Sequence, residues 1–193
     1  MKKLLITGFE PFDGEVINPS WDAVCLLPNI IGDYKLTKLL IPVVFGESAK
    51  KVIDVARATS PDVILCVGQA GGREAITPEM VGINLRYAKI PDNQGNQPRD
   101  EKILDDGENA YFTTIPARKI AEEISKKGIA SKVSYSAGAY VCNDVIYSLL
   151  AEFHETDTRV GFIHVPYSHE QNKSPSMSLN DMILGLTVAI ESI

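Results

Sequence analysis

Three short, mainly apolar runs constrain the fold of this chain more than any other feature of its sequence. They cover residues 3–9, 62–67 and 159–165. A strand whose apolar residues are continuous rather than alternating is typical of a sheet that is covered by helices on both faces. Helical patterns lie between these runs. The sequence therefore predicts an α/β fold, a three-layer α/β/α sandwich around a twisted, mostly parallel sheet.

Turn and capping signals place the remaining elements. Asn18 is a candidate N-cap and Pro19 suits the first helical position, so a short helix is predicted from there to about Leu27. Residues 91–109 are polar and rich in turn residues, and they are predicted to form a long loop that is either disordered or functional. The other predicted elements are strands at 35–44 and 132–136, two short β segments around 81–89, and helices at 47–59, 116–127, 142–154 and 179–192.

The chain shows no internal repeat, no low-complexity tract and no linker, and its length suits one sizeable core. We therefore expect residues 1–193 to form a single domain. The net charge is −6, and no cluster of Lys and Arg interleaves with aromatic residues. This composition argues against nucleic acid or an anionic membrane surface as the partner.

Cysteine usage and the first residues of the chain indicate the compartment. The three cysteines are widely spaced and form no CxxC motif, which argues against a disulfide framework and against a zinc site. The apolar start is interrupted by Glu10, Pro11 and Asp13, and no run approaches the roughly 18 apolar residues of a membrane span. We expect a cytoplasmic protein in a reducing environment.

Four segments with residues suited to chemistry fall at the ends of predicted elements. They are Phe9–Phe12, Gly68–Gly72, Gly138–Cys142 and His164–Pro166. Ligands of open α/β sheets bind at the carboxyl ends of the strands. These segments are therefore predicted to meet at one site.

Cys142 begins a predicted helix, and two interpretations of it are open. Its position in the apolar stripe of that helix favours a buried, inert cysteine. A thiol in the first helical turn also feels the positive end of the helix dipole, which favours a thiolate with a lowered pKa. The loop at 137–139 could then present N–H groups to an oxyanion. Cys25 and Cys66 are both predicted to be core residues.

A cysteine nucleophile needs a base, and the chain has three histidines. His154 and His169 lie in polar surroundings and are predicted to be on the surface. His164 ends an apolar strand, so a structural and a catalytic role are equally open. Glu79 lies beyond the glycine-rich loop and is a weak candidate, by itself, for the acid that orients an imidazole.

The glycine-rich segment Gly68–Arg73 allows a competing interpretation. A turn of this kind after a buried strand can bind phosphate, and Arg73 could assist. The segment lacks both the GxGxxG pattern and the Lys-Ser/Thr of a P-loop. As evidence for a nucleotide site it is weak.

Taken together, the motifs resemble those of the pyroglutamyl peptidase I family, also called pyrrolidone-carboxylate peptidases. The resemblance extends over nearly the whole chain. It rests on motifs that occur in the same order and at matching spacing: Gly8–Phe12 with Asn18–Ser20, Val67–Arg73, Ile76–Glu79 with Ile83–Asn84, Ile90–Asn93, Ser136–Gly138 with Cys142–Asn143, and Gly161–Pro166.

The resemblance implies a cysteine peptidase that removes N-terminal 5-oxoproline from peptides through a thioester acyl-enzyme. It places the catalytic triad on Glu79, Cys142 and His164. The substrate contacts that it implies are the aromatic rings of Phe9 and Phe12 and a lactam-binding amide at Gln69. It also implies a mixed sheet, a homo-oligomer (a tetramer or a dimer), and neither metal nor cofactor.

Two positions depart from the family pattern. Members commonly carry arginine where this chain has Met80 and Lys89. These departures keep open a non-catalytic relative that binds 5-oxoproline. The glycine-rich segment Gly68–Arg73 keeps open a nucleoside- or phosphate-binding enzyme.

Overall fold

A six-stranded mixed sheet with helices on both faces forms the centre of the protein in a computed structural model that describes residues 1–193. The strands are β1 Lys2–Phe9, β2 Ile30–Ile31, β3 Tyr34–Ile41, β4 Val63–Gln69, β5 Thr77–Pro78, β6 Val81–Ile83, β7 Ala110–Phe112, β8 Arg159–Val165, β9 Tyr167–Ser168 and β10 Ser176–Met177. The helices are α1 Pro19–Leu26, α2 Glu47–Thr59, α3 Ala117–Lys126, α4 Val141–Glu152 and α5 Leu179–Glu191, with a 3₁₀ turn at His169–Gln171.

The order of the main sheet is β2-β3-β1-β4-β8-β5. The four central strands are parallel, whereas β2 and β5 pair antiparallel at the two edges. Strands β6 and β7 form a small sheet of their own, and so do β9 and β10. The predicted α/β class with a mostly parallel, mixed sheet is confirmed. Because the central strands run in the same direction, their carboxyl ends meet at one edge.

Two hydrophobic cores lie on opposite faces of this sheet. In β1, Leu4 and Ile6 face the first core and Leu5 and Phe9 face the second. Helices α1, α3 and α5 cover the first core, and α2 and α4 cover the second. This arrangement explains why the strands are apolar on both faces. None of the helices combines the length and apolarity that crossing a bilayer requires.

The start of α1 follows the predicted capping signal. Asn18 Oδ1 accepts a hydrogen bond from Ser20 N–H at 3.1 Å, with Pro19 in the first helical turn. Gly8 permits the close packing of β1 on this helix, because a Cβ added there would lie 2.6 Å from the Cα of Trp21. Ser20 Oγ also accepts from Phe9 N–H at 3.0 Å. The cap therefore fixes the carboxyl end of β1.

The strand predicted at 132–136 is wrong. Only Ser131 and Ser134 make isolated bridges, to Ile76 and Glu79. Ser134 Oγ donates to Ser136 O at 3.2 Å and accepts from Ser136 N–H at 3.4 Å. Such local side-chain bonds compete with a strand ladder.

Of the β structure predicted around 81–89, only Val81–Ile83 forms a strand. The Asn84 carboxamide ends it by accepting from the N–H groups of Ile103 and Leu104 at 2.8 and 3.0 Å. The long loop predicted at 91–109 is tied to the body of the protein by buried Asp92, whose carboxylate accepts from Phe45 N–H at 3.0 Å.

Candidate active site

A cavity at the carboxyl edge of the sheet brings together several of the predicted site residues. It is a narrow cavity with a mainly apolar lining. Four of its lining residues were singled out in the sequence, namely Phe9, Phe12, Gln69 and Cys142. The rest of the lining consists of Asn18, Val43, Tyr140 and Val141.

Glu79 and His164 form a buried hydrogen-bonded pair beside this cavity. The distance from His164 Nδ1 to Glu79 Oε1 is 2.7 Å, and the two side chains are 3% and 0% exposed. Strand β5 pairs antiparallel with β8, and Glu79 N–H continues this pairing by donating to Phe162 O at 2.9 Å. Edge pairing of β5 therefore delivers the carboxylate to the histidine.

The charge state of this pair follows from its surroundings. Burial by itself would raise the pKa of Glu79, but hydrogen bonds from His164 and Arg73 outweigh it and hold that pKa below its ordinary value. Burial also lowers the pKa of His164, against the opposing effect of Glu79. An ionised Glu79 can only accept, so His164 Nδ1 carries the proton and donates it. Nε2 of a neutral imidazole is then free to act as a base.

Cys142 is the second residue of α4, and its side chain is partly exposed. A Cβ added to Gly68 would lie 3.0 Å from Cys142 Sγ, and Gly68 pairs with His164 in the β4–β8 register. The thiol therefore lies over the same point of the sheet as the histidine. Gly68 leaves the space that the thiol and the ring of Phe162 occupy.

Of the two interpretations left open for Cys142, the direction of its pKa fits the buried thiol. Burial, reinforced by the negative charge of Glu79, raises the pKa of the Cys142 thiol to about 12. Burial outweighs the favourable position at the helix start. Cys66 is buried, as predicted. Cys25 is exposed, so the prediction that it is a core residue is wrong.

Arg73 takes a position that the sequence analysis did not foresee. Its NH1 group donates to Glu79 Oε1 and to Thr77 Oγ1, both at 2.6 Å, and NH2 donates to Ser136 O at 2.9 Å. The guanidinium therefore links the carboxylate of the pair to the loop that precedes Cys142. These contacts occupy the group that a phosphate site in Gly68–Arg73 would need.

Two polar residues at the start of α4 were also missed, although they directly follow Cys142 in the sequence. Asn143 accepts from Ile83 N–H at 3.0 Å and donates to Ile83 O and Leu85 O at 2.9 and 3.0 Å. Asp144 accepts from Gly46 N–H at 2.8 Å and from Arg86 Nε at 2.6 Å. These bonds fix the helical turn that carries the thiol.

The aromatic wall of the cavity contains one more ring than predicted. Tyr140 lies against Phe12, with ring centroids 6.3 Å apart, and its hydroxyl donates to Pro91 O at 3.0 Å. An aromatic residue immediately before the candidate nucleophile's helix was the available signal. Of the two residues that depart from the family pattern, Met80 is half-buried and Lys89 is exposed.

No group of three or more His, Cys, Asp or Glu side chains is arranged to hold a metal ion. The residues that surround the thiol instead supply an imidazole, a carboxylate and apolar walls. This set suits nucleophilic attack by sulfur with a histidine as proton carrier.

Comparisons with known proteins identify the family. The family model for pyroglutamyl peptidase matches residues 2–193. A pyrrolidone-carboxylate peptidase from Brachyspira hyodysenteriae is 48% identical over 98% of both chains. The structure of pyroglutamyl peptidase I from Bacillus amyloliquefaciens superposes with a TM-score of 0.96 at 45% identity, covering 100% of this chain and 96% of that one. Pyrrolidone carboxyl peptidase from Thermococcus litoralis gives 0.95 at 35% identity, covering 100% and 93%.

The resemblance predicted from the sequence motifs is thereby confirmed, and the chain belongs to the pyroglutamyl peptidase family.

Proposed function

We propose that this protein hydrolyses the amide bond after an N-terminal 5-oxoproline residue of peptides, with Cys142 as nucleophile, His164 as general base and acid, and Glu79 as the residue that orients the imidazole. The observation that carries the proposal is the buried Glu79–His164 hydrogen bond of 2.7 Å at the point of the sheet where the Cys142 thiol lies. Family membership supplies the expected substrate.

The reaction begins from a neutral thiol and a neutral imidazole. His164 Nε2 takes the thiol proton as Cys142 Sγ forms a bond to the scissile carbonyl carbon. The resulting imidazolium is stabilised by Glu79, which stays ionised. Burial favours the neutral form of the Cys142 thiol, so His164 is needed to take its proton during attack.

The negative charge that develops on the carbonyl oxygen needs hydrogen-bond donors. Gly138 N–H is engaged, because it donates to Ser136 Oγ at 3.2 Å. The N–H of Cys142 itself lies in the first turn of α4, where backbone N–H groups have no carbonyl of a preceding turn to bind. We assign it to the oxyanion.

Collapse of the tetrahedral intermediate breaks the C–N bond, and His164 transfers its proton to the departing amine. The 5-oxoproline acyl group is then held as a thioester on Cys142. Water attacks this thioester while His164 takes one of its protons. The C–S bond breaks, the sulfur recovers the proton, and free 5-oxoproline is released.

The cavity suits a small, flat, neutral ring. Phe9 and Phe12 offer apolar faces, and Gln69 offers an amide to a lactam. An acyl residue of this kind has no free amine, so an acidic group to bind an ammonium is not required. A site that pairs the ring carbonyl disfavours proline, which lacks that acceptor.

The test is release of a fluorophore from a pyroglutamyl amide by wild type, Cys142→Ala and Cys142→Ser. We expect kcat/KM to fall at least roughly 1,000-fold in both variants. Cys25→Ala is the matched control, since Cys25 is exposed and does not line the cavity, and it should retain wild-type activity. Full activity of either Cys142 variant would overturn the assignment of the nucleophile.

The same assay separates the other candidate functions. Binding of 5-oxoproline without turnover by wild type would indicate a non-catalytic relative. Thermal stabilisation by phosphate or nucleosides, without amide hydrolysis, would indicate the phosphate-binding alternative. The contacts of Arg73 with Glu79, Thr77 and Ser136 argue against that alternative.

Assembly and location are proposed separately from the reaction. A homo-oligomer, either a tetramer or a dimer, is proposed from the family resemblance, and sedimentation equilibrium tests it. A cytoplasmic location is proposed from cysteine usage, and fractionation of the source cells tests it.

A further inference from the structure

Gln69, the last residue of β4, connects the cavity to a polar cluster outside it. The cluster comprises Glu15, Gln171 and Lys173. Gln69 Oε1 accepts a hydrogen bond from Gln171 Nε2 at 2.9 Å. The mechanism above uses Gln69 and gives this cluster no role.

Both ends of this hydrogen-bond chain fix how the Gln171 amide is oriented. Ser168 N–H donates to Gln171 Oε1 at 3.0 Å, and a backbone N–H can only donate. Gln171 Nε2 donates to Glu15 Oε2 at 3.3 Å as well as to Gln69. Hydrogen bonds from Lys173 and Gln171 lower the pKa of Glu15, so this carboxylate is ionised and can only accept. If the Gln171 amide were flipped, its NH₂ would face Ser168 N–H and its oxygen would face the Glu15 carboxylate. Donor would then meet donor, and acceptor would meet acceptor.

The orientation of Gln69 follows from that of Gln171. Its Oε1 is directed to Gln171, which does not line the cavity, and its Nε2 makes no hydrogen bond within the chain. Asn18 is the other amide of the lining. Its Oδ1 accepts from Ser20 N–H and Ser20 Oγ, and its NH₂ donates to Glu10 O. Gln69 Nε2 is therefore the amide donor at the cavity that makes no hydrogen bond within the chain.

We propose that Gln171 and Glu15 are positioning residues for specificity, which hold the Gln69 amide with its NH₂ toward the cavity so that the site favours an acyl residue with a ring-carbonyl acceptor. This inference rests on the proposed pyroglutamyl peptidase function. It adds the residues that determine whether Gln69 presents its NH₂ or its oxygen to the substrate. A prolyl residue has a ring of the same size without that acceptor and leaves the donor unpaired.

The Gln171→Glu variant tests the proposal directly. It keeps the side-chain shape and the acceptor for Ser168 N–H, but it replaces the Nε2 donor with an oxygen. Gln69 must then turn its NH₂ toward the new carboxylate and present oxygen to the cavity. We expect kcat/KM for a pyroglutamyl amide to fall roughly 10- to 100-fold. Alkylation of Cys142 by iodoacetamide should stay within about twofold of wild type, because the thiol is untouched.

Gln94→Glu is the matched control, because it makes the same charge change at an exposed glutamine. It should leave kcat/KM unchanged. Gln171→Met removes the donor without adding charge beside Glu15, and it decides the question if Gln171→Glu does not fold. We expect a similar loss for Gln171→Met.

A double-mutant cycle shows whether Gln171 acts through Gln69. In a Gln69→Ala background, Gln171→Met should change kcat/KM by less than about twofold. Unchanged activity of the folded Gln171 variants, or equal losses with and without Gln69, would overturn the inference and leave the proposed function standing. Wild-type protein that does not hydrolyse the pyroglutamyl amide would instead overturn the proposed function, and this inference with it.

Discussion

Arg73 is the charged residue that connects the parts of the proposed triad. It touches Glu79 on the oxygen that also faces His164, and its positive charge lowers the pKa values of His164 and Cys142. Apart from Arg73, the ionisable groups that shift the pKa values of Glu79, Cys142 and His164 are other members of this set and Cys66 of β4. A change at Arg73 should therefore alter how activity depends on pH.

The prediction compares Arg73→Gln with Arg73→Lys. Loss of the charge raises the pKa of both Glu79 and His164, so the base is protonated at higher pH. The acidic limb of kcat/KM should move upward by about one pH unit in Arg73→Gln. Arg73→Lys keeps the charge but loses the forked contact with Ser136, so it should lower kcat and leave the limb in place. Pyroglutamyl amide hydrolysis from pH 4.5 to 9 measures both quantities.

An unchanged acidic limb in Arg73→Gln, accompanied only by a lower kcat, would contradict this assignment. Arg73 would then serve to hold Ser136 and the loop before Cys142.

At the scale of elements, the first turn of α4 determines where the thiol lies. Asn143 is completely buried and binds the backbone of Ile83 and Leu85 through three hydrogen bonds. These contacts join α4 to the segment that follows β6. The stability of this junction and the placement of the nucleophile therefore depend on the same side chain.

Asn143→Ala should lower the free energy of unfolding by about 2 kcal/mol or more, because it removes the three hydrogen bonds that a completely buried side chain makes to Ile83 and Leu85. It should also lower kcat. Urea unfolding and the amide assay measure the two effects. Asn109→Ala, at an exposed asparagine, is the control and should be within about 0.5 kcal/mol of wild type. An Asn143→Ala variant as stable as this control would refute the anchoring role.

The sequence was sufficient to predict the elements whose signals are local. Apolar runs predicted the central strands, and the capping signal at Asn18 predicted the start of α1. Polar residues at strand ends predicted that Gln69, Cys142 and the Phe9 turn would share one site, because parallel strands end at the same edge.

Contacts between residues far apart in the chain could not be predicted. Asn143 and Ile83 are 60 residues apart, and Gln171 and Gln69 are 102 apart. The choice between a buried and an activated Cys142 thiol could not be made from the sequence for the same reason, since burial depends on the tertiary packing around Cys142. The catalytic and substrate-binding roles themselves stay predictions until the variants are assayed.

At the scale of the whole molecule, buried ionisable groups should set the pH range of stability. The pKa of His164 is held below its ordinary 6.5 and that of Glu79 below its ordinary 4.5. The unfolded chain therefore binds more protons as pH falls, and the folded state loses stability below about pH 6.5 and further below 4.5.

The alkaline side has the opposite sign. Burial raises the pKa of Cys66 from 9.0 to about 12, so above about pH 9 the unfolded state releases its proton first and stability falls. Urea unfolding between pH 4 and 10 should give a maximum at neutral pH. Cys66→Ala should reduce the alkaline loss, and a free energy that stays constant from pH 7 to 5 would contradict the acidic part.

The single-domain organisation predicted for residues 1–193 has a physical basis in how the two cores share one sheet. Leu4 and Leu5 are consecutive, yet they belong to opposite cores, and the same is true of Ile64 and Leu65. If one core lost its strands, the other core would lose the opposite face of the same strands. Unfolding should therefore be one cooperative transition.

Two residues report on the cores separately. Trp21, the only tryptophan, packs against the first core, and Cys66 lies within the second. We expect Trp21 fluorescence and pulse alkylation of Cys66, followed by peptide mass spectrometry, to give the same urea midpoint. Exposed Cys25 should be alkylated throughout and serves as the internal control. Separate midpoints would contradict this prediction. They would mean that the shared sheet is lost for one core while it stays intact for the other.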